Sequence, residues 1–371
     1  MPERPNIPNG NTNLETDMVR KIETETPGSP VRFGIVGAGG IARAYAEALQ
    51  KTPTATLVAI ADINVSAAQS LAEPLGIPAY ASAQELIKGQ PKLEAVVVCT
   101  PPATHPDICC TLLHAGIDVL CEKPLSIDMD GVLQMVEAAE ESGSLLTMAS
   151  KFRCVADVQK AKELLDSGAI GDVVHFENVF TSYVNMAGRW NSKPGISGGG
   201  VLIDNGTHSL DLARYFLGPI DELQVIEGKR TQDLAVEETV AIFFHSRSGV
   251  MGSIDLSWTI RKEVPYYIQI HGSEGTISLG WRESKWKRHD GNWETFGPGY
   301  DKVGAFAAQI ENFAKAILGE EPLLITMEDG VASVRAIEAA YESLSRNPWV
   351  AIKGLDWRMA RSGDTLTKTM R

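Results

Sequence analysis

The sequence predicts a two-domain α/β protein: a doubly wound parallel sheet comes first, and an α/β domain with an open, mainly antiparallel sheet follows. Three observations predict it. A chain of 371 residues exceeds the size to which one hydrophobic core usually grows. Between Val31 and Ser150, short apolar runs alternate with helical ones, the rhythm of parallel strands covered on both faces. After residue 150 the rhythm changes to several β-like runs joined by Gly or Ser turns, as in an antiparallel sheet.

Residues 1–30 are rich in Pro, Asn, Thr, Glu and Gly and lack an apolar period, so they read as an extension unable to offset its own ordering entropy. The first domain, 31–150, carries expected strands at 32–36, 57–62, 95–99, 119–121 and 145–149, with helices near 40–50, 66–76, 105–115 and 128–142. In the second domain, 151–353, a helix at 156–167 stops at Gly168, and a strand follows at 173–180. A glycine-rich stretch over 186–200 leads into a helix at 201–217. Strands are expected at 222–230, 237–245, 249–258, 265–271 and 275–280, and helices near 303–318 and 327–346 close the domain. Residues 354–371 read as a polar tail.

Hydrophobic residues at 44% and charged residues at 22% are ordinary for a globular protein. A net charge of -13 sets up a field that repels nucleic acid and anionic lipid, so neither is an expected partner. No run approaches the roughly 18 apolar residues of a spanning helix, and the N-terminus shows no signal core. The five cysteines are odd in number and contain no CxxC pair, which points to reduced, buried thiols and a cytoplasmic protein.

The chemistry-bearing residues cluster where strands end. Gly37-Ala38-Gly39-Gly40-Ile41-Ala42 follows the apolar strand FGIV and opens the helical run ARAYAEALQ, in the form G-x-G-x-x-A. The first glycine permits a tight turn, the second lets backbone approach a pyrophosphate, and Ala42 lets helix and strand pack closely. An anion then sits at the helix N-terminus, where free N–H groups and the dipole favour it. Glycine-rich turns are common, and Asp62 alone reads as a turn or cap carboxylate. Together they mark a dinucleotide site, because Asp62 ends the next strand about 20 residues on, where an acid meets a ribose hydroxyl.

Thr100-Pro101-Pro102 closes an apolar strand with a rigid turn at the carboxyl edge of the sheet, and His105 opens the next helix. Glu122-Lys123-Pro124 ends another short strand, and the proline holds Lys123 extended, fixing the direction of its side chain. Three glycines, 198–200, precede a helix on which Asp204 and His208 share a face at i, i+4. That pair suits proton transfer, since imidazole titrates near neutrality and a carboxylate orients it or passes charge onward. Metal sites use such residues too, but no further His or Cys completes a ligand set, so no metal is expected.

With these residues the chain resembles the Gfo/Idh/MocA family (glucose-fructose oxidoreductase, inositol dehydrogenase, rhizopine catabolism) from about Val31 to Ile352. The markers are Gly37, Gly39 and Ala42, then Thr100-Pro101-Pro102 with His105, Glu122-Lys123-Pro124, and Gly168-Ala169-Ile170-Gly171. Gly199-Gly200 through Asp204, Gly206 and His208 to Asp211 completes the set. The resemblance implies a Rossmann domain binding NAD, with NADP admitted, and a second domain whose open sheet forms a dimer or tetramer face. It implies that Lys123, Asp204 and His208 meet at the nicotinamide, and it admits a cis peptide before Pro124.

Expected cofactor contacts are Gly37, Gly39, Gly40, Ile41, Asp62, Thr100, Pro101, His105, Glu122 and Lys123. Expected substrate contacts are Lys123, Arg153, Tyr183, Trp190, Asp204, Asn205 and His208, and Lys151, Arg189 and Asn191 lie beside the shared motifs. Asn205 stands where many relatives carry an apolar residue. The implied reaction moves a hydride between the nicotinamide and a hydroxyl or ketone of a sugar, inositol, nucleotide-sugar or related polyol. The family also holds redox-neutral NAD-dependent glycoside hydrolases and non-catalytic dinucleotide-binding regulators. Intact Lys123, Asp204 and His208 count against a regulator, and net NADH formation separates a dehydrogenase from a hydrolase.

Overall fold

A computed structural model describes residues 29–346. The extension expected over 1–30, save its last two residues, and the tail over 354–371 lie outside the described residues. The first sheet is built from β1 (Val31–Val36), α1 (Gly40–Leu49), β2 (Ala55–Ala61), α2 (Val65–Ala72), β3 (Ala79–Tyr80), α3 (Ala83–Gly89), β4 (Ala95–Val98), α4 (His105–His114), β5 (Asp118–Glu122), α5 (Met129–Ser142) and β6 (Leu146–Ala149). Its six strands run in the order β3-β2-β1-β4-β5-β6, all parallel. The order reverses between β1 and β4, so their carboxyl ends splay and open a crevice there. Strand β4, Ala-Val-Val-Val, is buried throughout, as a central strand covered on both faces must be.

Strand β3 and helix α3 were not expected from the sequence. Two half-buried residues make β3, too few to show a period, and α3 spans only seven residues under a Ser82 cap that accepts from the Glu85 N–H. Helix α2 stops at Ala72, earlier than the expected 76, because Pro74 follows in a tighter turn that Gly76 ends at φ +66°.

The second sheet follows through α6 (Ala156–Asp166), β7 (Val173–Thr181), α7 (Pro194–Ser197), α8 (Val201–Leu217), β8 (Ile220–Glu227), β9 (Thr239–Ser246), β10 (Met251–Ser257), β11 (Ile268–Gly272), β12 (Gly275–Leu279), β13 (Ser284–Arg288) and β14 (Glu294–Gly297). Eight strands lie in the order β14-β13-β12-β11-β7-β10-β9-β8. Only the β7–β10 pair is parallel. Strands β13 and β14 were not expected: SKWKR and ETFG are short, mostly polar runs with one aromatic each, too little to show a period, and β14 is the edge of the sheet.

The chain closes with α9 (Lys302–Ile317) and α10 (Met327–Ser345). Although the sequence places both at the end of the second domain, α9 packs in the core of the first sheet. Its Phe306, Ile310 and Phe313 join Phe33 and Tyr45, with the Tyr45 and Phe306 rings 4.5 Å apart.

Candidate active site

The turn after β1 is shaped by its glycines. Gly37 sits at φ +99°, and a Cβ there would lie 2.8 Å from the Cys99 carbonyl carbon. At Gly39 and Gly40 nothing lies within 4 Å of a would-be Cβ, so a ligand can meet the backbone itself. Helix α1 starts here with no side-chain cap and no acid in its first turn, which leaves its N–H groups open to an anion. Asp62 turns back onto this loop: its Oδ2 accepts from the Ala38 N–H at 2.6 Å and its Oδ1 from the Asn64 N–H at 2.7 Å.

Behind the crevice His105 is fully buried, with Nε2 2.8 Å from the Thr100 carbonyl oxygen and Nδ1 3.0 Å from that of Pro124. Burial pushes its pKa down, against the pull of the two carbonyls. The ring therefore ties the ends of β4 and β5 together and presents no surface to a ligand, which corrects the expected cofactor contact. The peptide between Lys123 and Pro124 is cis. Glu122 is buried and accepts from the Tyr45 hydroxyl at 2.8 Å and from the Lys123 N–H at 3.1 Å, and burial pushes its pKa up.

The glycines before α8 answer to a different need. The Gly200 and Leu202 N–H groups both donate to Glu237 Oε1, at 2.9 and 3.0 Å, and the Tyr341 hydroxyl donates to the same oxygen at 2.9 Å. A Cβ on Gly200 would lie 2.0 Å from the Glu237 carbonyl oxygen, and one on Gly199 1.8 Å from the Tyr341 oxygen. Glu237 thus replaces the missing side-chain cap of α8 and seats its first turn.

From that helix Asp204 meets Lys123, whose Nζ donates to Asp204 Oδ1 at 2.6 Å and to the Asp204 carbonyl oxygen at 2.9 Å. His208 lies one turn on, buried, its ring edge-on to Phe152 at 5.0 Å. Its Nδ1 has no hydrogen-bond partner among the described residues. Burial first, then Lys123 and Lys151, push its pKa well below the usual imidazole value. The helical spacing suggested an Asp204–His208 pair. Among the described residues no hydrogen bond joins them, because the closer Lys123 ammonium holds the carboxylate.

A cleft of about 620 Å³ joins these groups, with Ile41, Thr100, Glu122 and Lys123 on one side and Trp190, Asn191, Asn205, His208 and Trp281 on the other. Arg153 is not in it. Its guanidinium is buried and held by Asp211, with Nε 2.9 Å from Oδ2, and by Asp329 at 3.0 and 3.1 Å, which makes it a core ion cluster and corrects the expected substrate contact. Tyr183 is 54% exposed and stands outside the lining.

Residues 31–150 match the family model described as "Oxidoreductase family, NAD-binding Rossmann fold", and 158–278 match the "GFO/IDH/MocA C-terminal domain". The trans-1,2-dihydrobenzene-1,2-diol dehydrogenase of Mus musculus is 30% identical over 255 residues, covering 67% of this chain and 74% of that one. The chain belongs to the GFO/IDH/MocA family of oxidoreductases. Inositol 2-dehydrogenase of Rhizobium meliloti (strain 1021) is 27% identical over 337 residues, 87% of this chain and 99% of the relative. Levoglucosan dehydrogenase, solved in complex with NADH and levoglucosan, superposes with a TM-score of 0.79 at 22% identity, over 88% of this chain and all of the other, and so shares the fold.

The matched family model is that of an NAD-binding Rossmann fold, and the residues here fit that cofactor. The open glycine backbone and the uncapped start of α1 suit a pyrophosphate, and Asp62 beside them suits a ribose. The sequence did not single out Trp281, between β12 and β13, nor Phe152, Phe180 and Ser182, all of which line the cleft. None belongs to a motif, and only the fold brings them to Lys123. Among the described residues no cluster of His, Cys, Asp or Glu could hold a metal, and no helix is long and apolar enough to cross a membrane.

Proposed function

We propose that this protein interconverts a hydroxyl and a ketone on a sugar, inositol or related polyol, with NAD as hydride carrier. The observation that carries the reading is Lys123 paired to Asp204 in one cleft with a buried, uncommitted His208. The nicotinamide ring supplies hydride transfer when bound. In the direction of oxidation, His208 takes the hydroxyl proton, because its depressed pKa keeps it neutral and able to accept. Lys123, held by Asp204, donates a hydrogen bond to the same oxygen and stabilises the negative charge that develops there. The relatives named as inositol and dihydrodiol dehydrogenases act at carbinol carbons, which supports the same chemistry.

Lys123→Met and His208→Ala should each lower turnover about a hundredfold or more while NADH still binds, followed by its fluorescence. Near-wild-type turnover in both would remove the assignment. Net NADH formation from a polyol is expected, and turnover without it would point to redox-neutral chemistry.

The same reading includes a second copy of the chain packed on the outer face of the eight-stranded sheet, where Phe243 and Met251 are about half exposed.

A further inference from the structure

Lys151, at the turn after β6, lines the cleft beside Lys123 and His208. Its Nζ lies over two aromatic faces, 5.2 Å from the Phe306 centroid and 5.5 Å from that of Phe152. Among the described residues it makes no ion pair and no hydrogen bond. The carboxylates nearest in charge are already committed: Asp204 to Lys123, and Glu122 to Tyr45 and to the Lys123 N–H. Two further cations, Lys123 and Lys302 at the start of α9, push against it. Burial and those cations outweigh the pull of Glu122 and Asp204 and lower its pKa to about 8. A lysine so placed is strained by its charge, and an anion entering the cleft would relieve it.

We infer that the substrate carries a carboxylate, which Lys151 receives, so that the preferred substrates are sugar acids rather than neutral polyols. The inference rests on the oxidoreductase reading above and narrows its substrate class. A carboxylate fits better than a phosphate because, among the described residues, one uncommitted cation lines the cleft, which balances a monoanion and leaves a dianion half unpaired.

The test compares matched pairs that differ only in the end group: D-gluconate with D-glucitol, and D-galactonate with galactitol. Each is titrated calorimetrically into the full chain saturated with NADH. Each acid should bind at least tenfold tighter than its alcohol in wild type and in Lys151→Arg, and the difference should collapse in Lys151→Met. Near pH 8 the acids should also drive uptake of up to about half a proton, read from buffers of differing ionisation heat, as the lysine regains its charge. That uptake should vanish in Lys151→Met. Equal binding of acid and alcohol, a preference that survives Lys151→Met, or tighter binding of D-glucitol 6-phosphate than of gluconate would overturn the inference. Because binding is read without turnover, an acid that binds yet is never oxidised counts against the oxidoreductase reading instead.

Discussion

Asp62 directly follows β2, and each of its carboxylate oxygens already accepts one backbone N–H, so the acid is fixed beside the glycine turn with lone pairs to spare for ribose hydroxyls. A 2′-phosphate would meet that fixed negative charge, and neither Ile63 nor Asn64 supplies a cation. NAD should therefore exceed NADP in kcat/KM by more than about tenfold, since facing like charges cost upwards of a kcal/mol. Asp62→Ala should narrow the gap, and equal use of both cofactors by the wild type would sink the reading.

His208 carries a second residue-scale consequence. Its folded pKa lies well below the roughly 6.5 of an unfolded imidazole, so above that pH both states are neutral and nothing is lost. As pH falls below about 6.5 the unfolded chain takes a proton that the folded one refuses, and stability drops. His105, buried and shifted the same way, adds to the loss. Urea titrations between pH 5 and 7 should show His208→Asn flattening this slope by up to about 1.4 kcal/mol per pH unit. An unchanged slope would mean that His208 is charged in the fold.

At the scale of elements, α8 depends on a cap that comes from elsewhere in the chain. Glu237→Ala would leave the Gly200 and Leu202 N–H groups and the Tyr341 hydroxyl without their shared acceptor, a cost of about 1–3 kcal/mol. It should also lower kcat, because the displaced first turn carries Asp204, whereas Glu237→Gln keeps an oxygen and should lose less. Loss of stability with full kcat would show that Asp204 does not depend on this seat. The three glycines were legible as a flexible lead into a helix. The reason for Gly199 and Gly200, the close approach of Tyr341 and Glu237, was not, because Glu237 lies 37 residues from Gly200 along the chain and Tyr341 a further 104 residues from Glu237. Strands β3, β13 and β14, at the edges of their sheets or next to one, escaped a reading by periodicity for a related reason: such short or polar strands gain their place from a neighbour's backbone, not from an apolar face.

At the scale of the whole molecule, a second copy on the outer sheet face should give a dimer or tetramer by light scattering. Phe243→Glu combined with Met251→Glu should shift it toward monomer without unfolding it, because both side chains are about half exposed. A wild-type monomer would remove that surface as an interface.

Local spacing was enough for the alternation of strand and helix, the glycine turn with its acid, and the placing of Asp204 and His208 one turn apart on a helix, whereas the meeting of Lys123 with that helix was implied by the family resemblance alone. The first three are legible because backbone geometry follows spacing directly. Contacts made as the chain closes settle that Asp204 holds Lys123 instead of His208, that His105 and Arg153 are ties within the core, and that α9 returns to the first sheet. Those outcomes turn on which charge or apolar face is nearest once the chain has closed. Burial then sets the strength of each pairing, and neither quantity exists before the fold does.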